Sequence, residues 1–306
     1  MALLGLLKDK QDEELVEPVA GLSDLTSGYS IEVTPRTAAK ISDFKTLLPR
    51  GTRVYIAHVE GTSITEMAET AKRLSTDGFP VMPHFPARMI PNVATLEDWI
   101  KRYRGEAGVD QALLLGGGLR KPVGNLESSM QFIESGLFDR HGFKRLHVAG
   151  HPEGNRDIDS DGGYRIVDEA LKFKQAYCER SDAEMAIVTQ FAFDARPIIA
   201  WAERIAAFGV KLPIHLGVAG PTKLQTLIKF AIACGVGPSL SVLQKRARDF
   251  SKLLVPYEPV EILRDIAVYK AAHPESLIQQ IHLFPLGGIG ASAAWMSEQQ
   301  RSVSVA

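Results

Sequence analysis

The chain has 306 residues, of which 45% are hydrophobic and 23% are charged, the balance of an ordinary globular protein. The formal net charge is -1 and no run of like charge stands out, so neither a nucleic acid nor a membrane is expected as a partner. Cys178 and Cys234 lie far apart without CxxC spacing, which fits a reducing compartment such as the cytoplasm. The apolar start is too short for a signal peptide, and no 18-residue apolar run predicts a transmembrane helix.

Strand signals recur eight times along the chain, and each is followed by a helical signal. The first strand alternates apolar and polar residues and ends at Pro35. Predicted strands cover residues 29–33, 53–58, 79–84, 111–115, 143–150, 185–190, 212–216 and 281–286. Predicted helices lie near 37–48, 63–74, 95–104, 126–136, 163–180 and 195–208, then from 221, twice within 238–273, and after 288.

Strand-helix alternation implies a parallel sheet with right-handed crossovers. Eight units in this length favour a (β/α)8 TIM barrel with extra helices before the last strand. We therefore predict an N-terminal arm over residues 1–27 and a single barrel domain over 28–306. In such barrels the active site lies at the C-terminal ends of the strands.

Polar residues follow many of these strand ends, and Glu32 is the most informative of them. A buried carboxylate is costly unless it is paired or its pKa is raised. Glu32 can therefore be a structural acid bonded to backbone or Arg36, or a general acid with a raised pKa. The other strand-end residues are His58, Glu60, His84, His151, Asn155 and Gln190. Three histidines could join Glu32 around a metal, but no H-x-H or HExxH spacing supports one, and a ligand pocket is the alternative.

Two further features allow two interpretations each. Gly288-Ile-Gly-Ala-Ser-Ala293 matches G-x-G-x-x-A but lacks a following strand and acid, so it is either a βα turn or, with Gly217-Val-Ala-Gly220, a phosphate site. Phe230 lies off the apolar stripe of its helix, as Thr226 does. The aromatic ring can stack on a flat ligand or touch neighbouring helices.

Six blocks at the strand ends carry a family pattern. They are Ile31-Glu-Val-Thr-Pro-Arg36, Pro83-His-Phe-Pro-Ala87, Val148-Ala-Gly-His-Pro-Glu153, Val188-Thr-Gln-Phe-Ala-Phe-Asp194, Leu216-Gly-Val-Ala-Gly220 and His282-Leu-Phe-Pro-Leu-Gly-Gly288. They resemble, in order, the blocks F-E-F-F-P-P-K/R, P-H-L-T-C, V-A-x-Y-P-E, I-T-Q-F-F-F-D, P-G-I-x-P and H-F-Y-T-L-N-R. These blocks belong to the methylenetetrahydrofolate reductase family of flavin-dependent (β/α)8 barrels. The T-Q-F and A-x-x-P-E blocks are the most specific.

The resemblance implies an FAD oxidoreductase of one-carbon metabolism that interconverts 5,10-methylenetetrahydrofolate and 5-methyltetrahydrofolate. Glu32 would be the acid that protonates N10, and flavin hydride would reduce the resulting N5 iminium. Folate would contact Gln190, Thr226 and Phe230. The flavin site would take in His58, His84, Leu115, Gly116, Gly117, Gly118, His151, Asn155, Glu169 and Lys174. A nicotinamide nucleotide is a possible reductant, and a homo-oligomer, dimeric or tetrameric, is expected.

Three positions depart from the family pattern. Its R-G-D after strand four is Gly116-Gly117-Gly118 here, and its Arg after strand eight is Gly288. The lost Asp would stabilise the iminium, and Glu60 could supply that charge or be a solvated loop residue. The alternatives are therefore a flavin- or folate-binding barrel with weak catalysis and a metal-dependent barrel hydrolase that uses the strand-end histidines.

Overall fold

The computed structural model describes residues 22–236, 240–247 and 256–304. Eight parallel strands close into a barrel in chain order, with β1 hydrogen-bonded to both β2 and β8. The strands are β1 Ser30–Val33, β2 Val54–Ile56, β3 Val81–Pro86, β4 Gln111–Leu115, β5 Arg145–Gly150, β6 Glu184–Thr189, β7 Ile214–Ala219 and β8 Ile278–Phe284. The predicted (β/α)8 fold is confirmed.

The described helices surround this barrel. They are α1 Leu22–Thr26, α2 Pro35–Ala38, α3 Ile64–Thr76, α4 Val93–Ala107, α5 Ser129–Glu134, α6 Leu137–Arg140, α7 Arg165–Cys178, α8 Ala195–Ala207, α9 Leu224–Ala233, α10 Leu240–Ala247, α11 Val260–Ala272 and α12 Ile289–Ser304, with a 3-10 turn at Ala87–Met89. The extra helices α10 and α11 precede β8 as predicted. The prediction over 238–273 also touches residues 238–239 and 248–255, which lie outside the described residues.

Two helix predictions were wrong in extent. The helix placed near 37–48 is the short α2, which begins at Pro35 because Thr34 and Thr37 form a capping box. After Ala38 the chain turns, and Arg73 of α3 donates to the carbonyls of Ala38 and Ile41. The helix placed at 126–136 is the shorter α5, and Gly136, with a left-handed φ of 63°, separates it from α6, which was not predicted.

Residues 22–26, assigned to the N-terminal arm, form α1, whose Leu25 and Thr26 are fully buried. This helix packs on α12 and β8. Residues 1–21 lie outside the described part, so the domain boundary remains a prediction.

Alternating strand residues divide the packing into an outer and an inner set. The outer set meets the helices in the main hydrophobic core, to which Ile31, Ile56, Val148 and Leu216 contribute. The inner apolar set is small: Tyr55, Met82, Leu113 and Val188. Polar side chains occupy much of the remaining barrel interior, and the candidate site is built from them.

Candidate active site

Glu32 on β1 lies between two imidazoles at the C-terminal end of the barrel. Its Oε2 atom is 3.2 Å from Nε2 of His84 on β3 and 3.8 Å from Nε2 of His282 on β8. The Glu32 side chain keeps 19% of its surface exposed, whereas that of His282 keeps 1%. The carboxylate therefore faces the mouth of the barrel with a histidine on either side.

His282 is held from three directions. Its Nδ1 atom shares a 2.9 Å hydrogen bond with Ser30 Oγ. Its ring lies 4.3 Å from the Tyr55 ring and 4.8 Å, edge-on, from the Phe284 ring, measured between centroids. Because these contacts fix the ring plane, Nε2 is directed towards Glu32.

The ionisation of Glu32 differs from the sequence prediction. Burial acts to raise the pKa of this carboxyl, but the adjacent His84 and His282 outweigh it and lower the pKa to about 2. The expected raised pKa was therefore wrong. The sequence placed a carboxyl on a buried strand, but it did not show that two imidazoles from distant strands would meet it.

A cleft with an empty volume of about 520 Å³ opens at the C-terminal ends of β5 and β6, and Glu32 is not among the residues that line it. The Cys234 thiol lines this cleft, and desolvation followed by the charge of Glu32 raises the pKa of this thiol to about 11. The predicted residues His151, Asn155 and Gln190 all line the cleft. The full lining is Gly150, His151, Pro152, Glu153, Gly154, Asn155, Gln190, Phe191, Ala192, Cys234, Gly235 and Val236.

Gln190 owes its place to the close approach of β6 and β7. A Cβ on Gly217 would come within 2.4 Å of the Thr189 carbonyl oxygen and 2.8 Å of the Gln190 backbone, so glycine is required there. The Gln190 Oε1 atom accepts a hydrogen bond from the Phe191 amide at 3.1 Å. Its side chain is half-buried on the cleft wall, where an amide can offer a donor and an acceptor to a ligand.

A buried cation lies near His151, one of the residues that line the cleft. Lys174 of α7 is only 6% exposed, and no hydrogen bond or ion pair to it occurs among the described residues. Burial lowers its pKa to about 8. Burial, together with Lys174, lowers the pKa of His151 to about 4, so His151 is neutral at pH 7. Asn155 Nδ2 approaches His151 Nδ1 at 3.5 Å.

Phe230 and Thr226 lie on α9 away from its buried face. Leu224, Leu227 and Ala231 are buried, whereas Thr226 is half-buried and Phe230 is 40% exposed. The prediction that Phe230 lies off the apolar stripe is confirmed, so its ring is available to a ligand.

The three glycines in the loop after β4 differ in backbone conformation and surroundings. Leu115 packs against the inner apolar set. Gly116 accepts a hydrogen bond from the Arg88 amide through its carbonyl. Gly117 has a φ of 90°, and a Cβ there would come within 2.9 Å of Pro86. Gly118 has no positive φ, and a Cβ there would meet nothing within 4 Å.

Two residues predicted for the flavin site have other surroundings. His58 stacks on Trp99 of α4 with centroids 4.8 Å apart, and its Nε2 donates to the Thr62 carbonyl at 2.9 Å. Glu169 is exposed on α7 and lies 3.5 Å from Arg165. The structure thus brings Lys174, but not Glu169, to the His151 side.

Sequence reasoning missed the barrel interior. Tyr55, His147, His215 and His282 all point inward from β2, β5, β7 and β8 and are at most 6% exposed. Their signal was a polar residue at the inward position of an otherwise apolar strand, for example His147 in Arg145–Gly150. Because these polar residues lie within the strands, the residues at the strand ends do not reveal them.

The glycines after β7 and β8 allow neighbouring chain segments to approach closely. A Cβ on Gly287 would approach the Pro221 carbonyl oxygen at 2.0 Å, and one on Gly220 would approach Ser292 Oγ at 2.4 Å. Gly288 turns with a φ of 112° directly before α12. The G-x-G-x-x-A segment is therefore a βα turn here.

Metal-binding clusters and membrane-spanning helices are both absent from the described residues. No cluster of three or more His, Cys, Asp or Glu side chains in residues 22–236, 240–247 and 256–304 is placed to hold a metal ion. Within the same ranges, no helix combines the length and apolar character that crossing a bilayer requires.

No protein-family profile matches the chain. An uncharacterized protein from Clostridium thermocellum, solved with two copies of 5-methyl-5,6,7,8-tetrahydrofolic acid, is similar over 92% of this chain and 97% of its own, at 12% identity and a TM-score of 0.58. Dihydropteroate synthase from Thermus thermophilus is similar over 91% and 95%, at 14% identity and a TM-score of 0.44. At 12% identity the likeness to the Clostridium thermocellum protein supports the fold alone, which is the (β/α)8 barrel.

Proposed function

We propose that this barrel binds a reduced folate at its mouth and, with FAD, interconverts 5,10-methylenetetrahydrofolate and 5-methyltetrahydrofolate. The observation that carries the proposal is the Glu32 carboxylate, which lies between His84 and His282 at the C-terminal end of the barrel, where Gln190 lines a cleft. Glu32 and Gln190 are the positions that match the acid and the pterin-binding amide of the methylenetetrahydrofolate reductase pattern. The Clostridium thermocellum protein, which binds 5-methyltetrahydrofolate, lends support at the level of ligand class.

Proton exchange with N10 of the folate is the step that the chain itself would perform. As a carboxylate, Glu32 can accept the N10 proton when the methylene bridge closes, and in the other direction it can return that proton when the bridge opens. The neighbouring imidazoles stabilise the ionised form between these events. In the ligand-free site the lowered pKa therefore keeps Glu32 ionised, which is the form that can accept a proton.

The residues on the His151 side fit FAD in part. Lys174 is a buried cation without an anionic partner among the described residues, and a pyrophosphate would supply one. His151 and Asn155 would contact the flavin from the cleft wall, whereas His58 and Glu169 do not line the cleft. When bound, FAD would supply or accept the hydride. A nicotinamide nucleotide as reductant and a homo-oligomeric state remain predictions.

Gly118 and Gly288 motivate the second candidate, a folate- and flavin-binding barrel with weak catalysis. A Cβ on Gly118 would meet nothing within 4 Å, so there is room for an Asp side chain at this position. Glu60 is exposed in the turn after β2. Among the described residues no side-chain cluster is placed to hold a metal ion, so the structure gives no support to the metal-dependent hydrolase.

The test begins with the visible spectrum and metal content of the purified protein. We expect a flavin band near-stoichiometric with protein and no zinc or iron. Anaerobic 5-methyltetrahydrofolate should then bleach the band in the wild type, and Glu32→Gln should slow this bleaching. A metal without flavin would contradict the proposal, and bound flavin that 5-methyltetrahydrofolate never bleaches would select the weakly catalytic barrel.

A further inference from the structure

The Gln190 side chain is held in one amide orientation. Its Oε1 atom accepts a 3.1 Å hydrogen bond from the Phe191 backbone N–H, which has no other acceptor among the described residues. Phe191 is buried, and a buried N–H needs an acceptor. An amide turned by 180° would place Nε2, a donor, against this N–H, so that two donors would face each other. Oε1 therefore remains towards Phe191.

The other polar atom of the amide, Nε2, is free to meet a ligand. No hydrogen bond from Gln190 Nε2 occurs in the described part of the chain, and this atom is not one of the buried polar atoms that lack a partner. It is therefore accessible, and Gln190 lines the cleft. A ligand in the cleft thus meets a hydrogen-bond donor at this point.

The direction of the Phe191 N–H is itself fixed by Thr189. This N–H and the Gln190 carbonyl belong to one planar peptide group, so a contact that orients the carbonyl also orients the N–H. Thr189 Oγ1 donates to the Gln190 carbonyl oxygen at 2.9 Å and accepts from the Gly217 amide at 2.9 Å. Thr189 is only 1% exposed, so water does not compete for these hydrogen bonds. The Thr189 hydroxyl therefore ties the 190–191 peptide to β7.

We propose that Thr189 and the Phe191 amide fix Gln190 as a hydrogen-bond donor towards the cleft, so that the site selects a ligand with an acceptor there. An unrestrained glutamine amide can turn to offer either its oxygen or its nitrogen, and it would not discriminate. Thr189 is a positioning residue, because it acts through Gln190.

For a pterin ligand, this selection concerns position 4 of the ring. The oxygen of a 4-oxo pterin accepts a hydrogen bond, whereas the amino group of a 4-amino-4-deoxy pterin donates one. We therefore assign the 4-oxo oxygen as the atom that meets Gln190 Nε2. This assignment rests on the proposed function for the ligand class and adds the edge of the ring that the protein reads.

The fixed orientation is tested first without ligand, by hydrogen exchange of the Phe191 amide in the purified full-length protein. Gln190→Met removes the acceptor but keeps the length of the side chain, and it should speed this exchange by about tenfold or more. Thr189→Val should speed it as well, and Thr189→Ser, which restores a hydroxyl, should return it to the wild-type rate. Unchanged exchange in both Gln190→Met and Thr189→Val would overturn the proposal.

The selection is tested by calorimetric titration with tetrahydrofolate and 4-amino-4-deoxytetrahydrofolate, which differ only in the position-4 substituent and the N3 proton. The wild type should bind the 4-oxo compound about tenfold more tightly, the usual effect of one matched hydrogen bond. In Gln190→Glu the carboxylate still accepts from the Phe191 amide but offers an acceptor to the cleft, so the preference should reverse. Thr189→Val should bring the affinity ratio towards one, and Thr189→Ser should restore it.

Gln131→Glu is the matched control, because Gln131 Oε1 also accepts from backbone amides, those of Glu127 and Ser128, but Gln131 lies on α5 and does not line the cleft. This variant should keep the wild-type ratio. Equal binding of both compounds by the wild type, or an unchanged preference in Gln190→Glu, would overturn the proposal. If neither compound binds while Phe191 exchange still depends on Gln190 and Thr189, the fixed orientation stands and the proposed function is wrong.

Discussion

The two sides of the barrel mouth differ in how completely the protein satisfies its own polar groups. On the β1 side, the Glu32 carboxylate lies near two imidazoles, and His282 is itself fixed by Ser30 and by aromatic rings. On the β5 side, Lys174 is a buried cation for which no partner occurs in the described residues. The first side is organised before any ligand arrives, and the second has an unmet preference for an anion. We infer that proton chemistry belongs to the β1 side and ligand anchoring to the β5 side.

The largest expected effect comes from removing the charge on the organised side. Glu32→Gln should retain the fold and bound flavin but slow folate turnover by about two to four decades, the usual contribution of a general acid or base. Stopped-flow measurement of flavin oxidation by methylenetetrahydrofolate would show it. The control is Glu69→Gln, which changes an exposed acid on α3. Wild-type turnover in Glu32→Gln would make Glu32 a structural residue.

Lowering the pH should reduce the free energy of unfolding, because the histidines buried inside the barrel have lowered pKa values. Folding lowers the pKa of His147 and His282, that of His151 to about 4 and that of His215 to about 3. Below about pH 6.5 the unfolded chain therefore binds more protons than the folded one, so the stability present above that pH is lost as the pH falls. Glu32, with a pKa of about 2, does not change this window. Urea unfolding at pH 7 and pH 5 should differ by several kcal/mol.

His215→Leu tests how much one buried histidine contributes to the pH dependence of the free energy of unfolding. The Nδ1 atom of His215 has no hydrogen-bond partner among the described residues, so an apolar replacement is tolerable. It should remove one proton from the uptake on unfolding and reduce the pH slope by about 1.4 kcal/mol per pH unit. An unchanged slope would mean that His215 is protonated in the folded protein.

The loop after β4 allows a change that adds function. Gly118→Asp would place a negative charge where the family pattern has one, and nothing obstructs its Cβ. We expect folate turnover to rise by about tenfold, since electrostatic stabilisation of a developing cation is often a dominant contribution. The neighbouring Gly117→Asp is the matched control, and it should cost stability instead because of its φ of 90° and its contact with Pro86.

If Glu60 already supplies that charge, activity should rise only when Gly118→Asp is combined with Glu60→Gln, since two adjacent carboxylates raise each other's pKa. No gain in either variant, with fold and flavin intact, would show that no cation develops near residue 118.

The smallest expected effect concerns α9. Phe230→Ala should weaken a flat ligand by about 1 kcal/mol and leave the melting temperature nearly unchanged, because the ring is 40% exposed. Leu227→Ala on the same helix should do the reverse and cost about 2–5 kcal/mol of stability, because Leu227 is fully buried. A clear drop in stability for Phe230→Ala with unchanged ligand affinity would place its ring in the core.

The fold was predictable because strand and helix periodicity are local signals, and eight repeats of them leave few topologies. The positions of Glu32, His84, His151 and Gln190 followed from the same pattern, since each comes at a strand end. The pairing of Glu32 with His282 was not predictable, because β1 and β8 meet only when the barrel closes. The surroundings of His58 were missed because stacking on Trp99 depends on where α4 packs.

The central claim is that the barrel binds a reduced folate at its mouth, in the cleft that Gln190 lines. Calorimetric titration of the flavin-loaded protein with 5-methyltetrahydrofolate tests it most directly. We predict saturable binding to the wild type and about tenfold weaker binding to Gln190→Ala, which loses an amide that would hydrogen-bond the pterin. Absence of binding to the wild type, or equal affinity in Gln190→Ala, would contradict it.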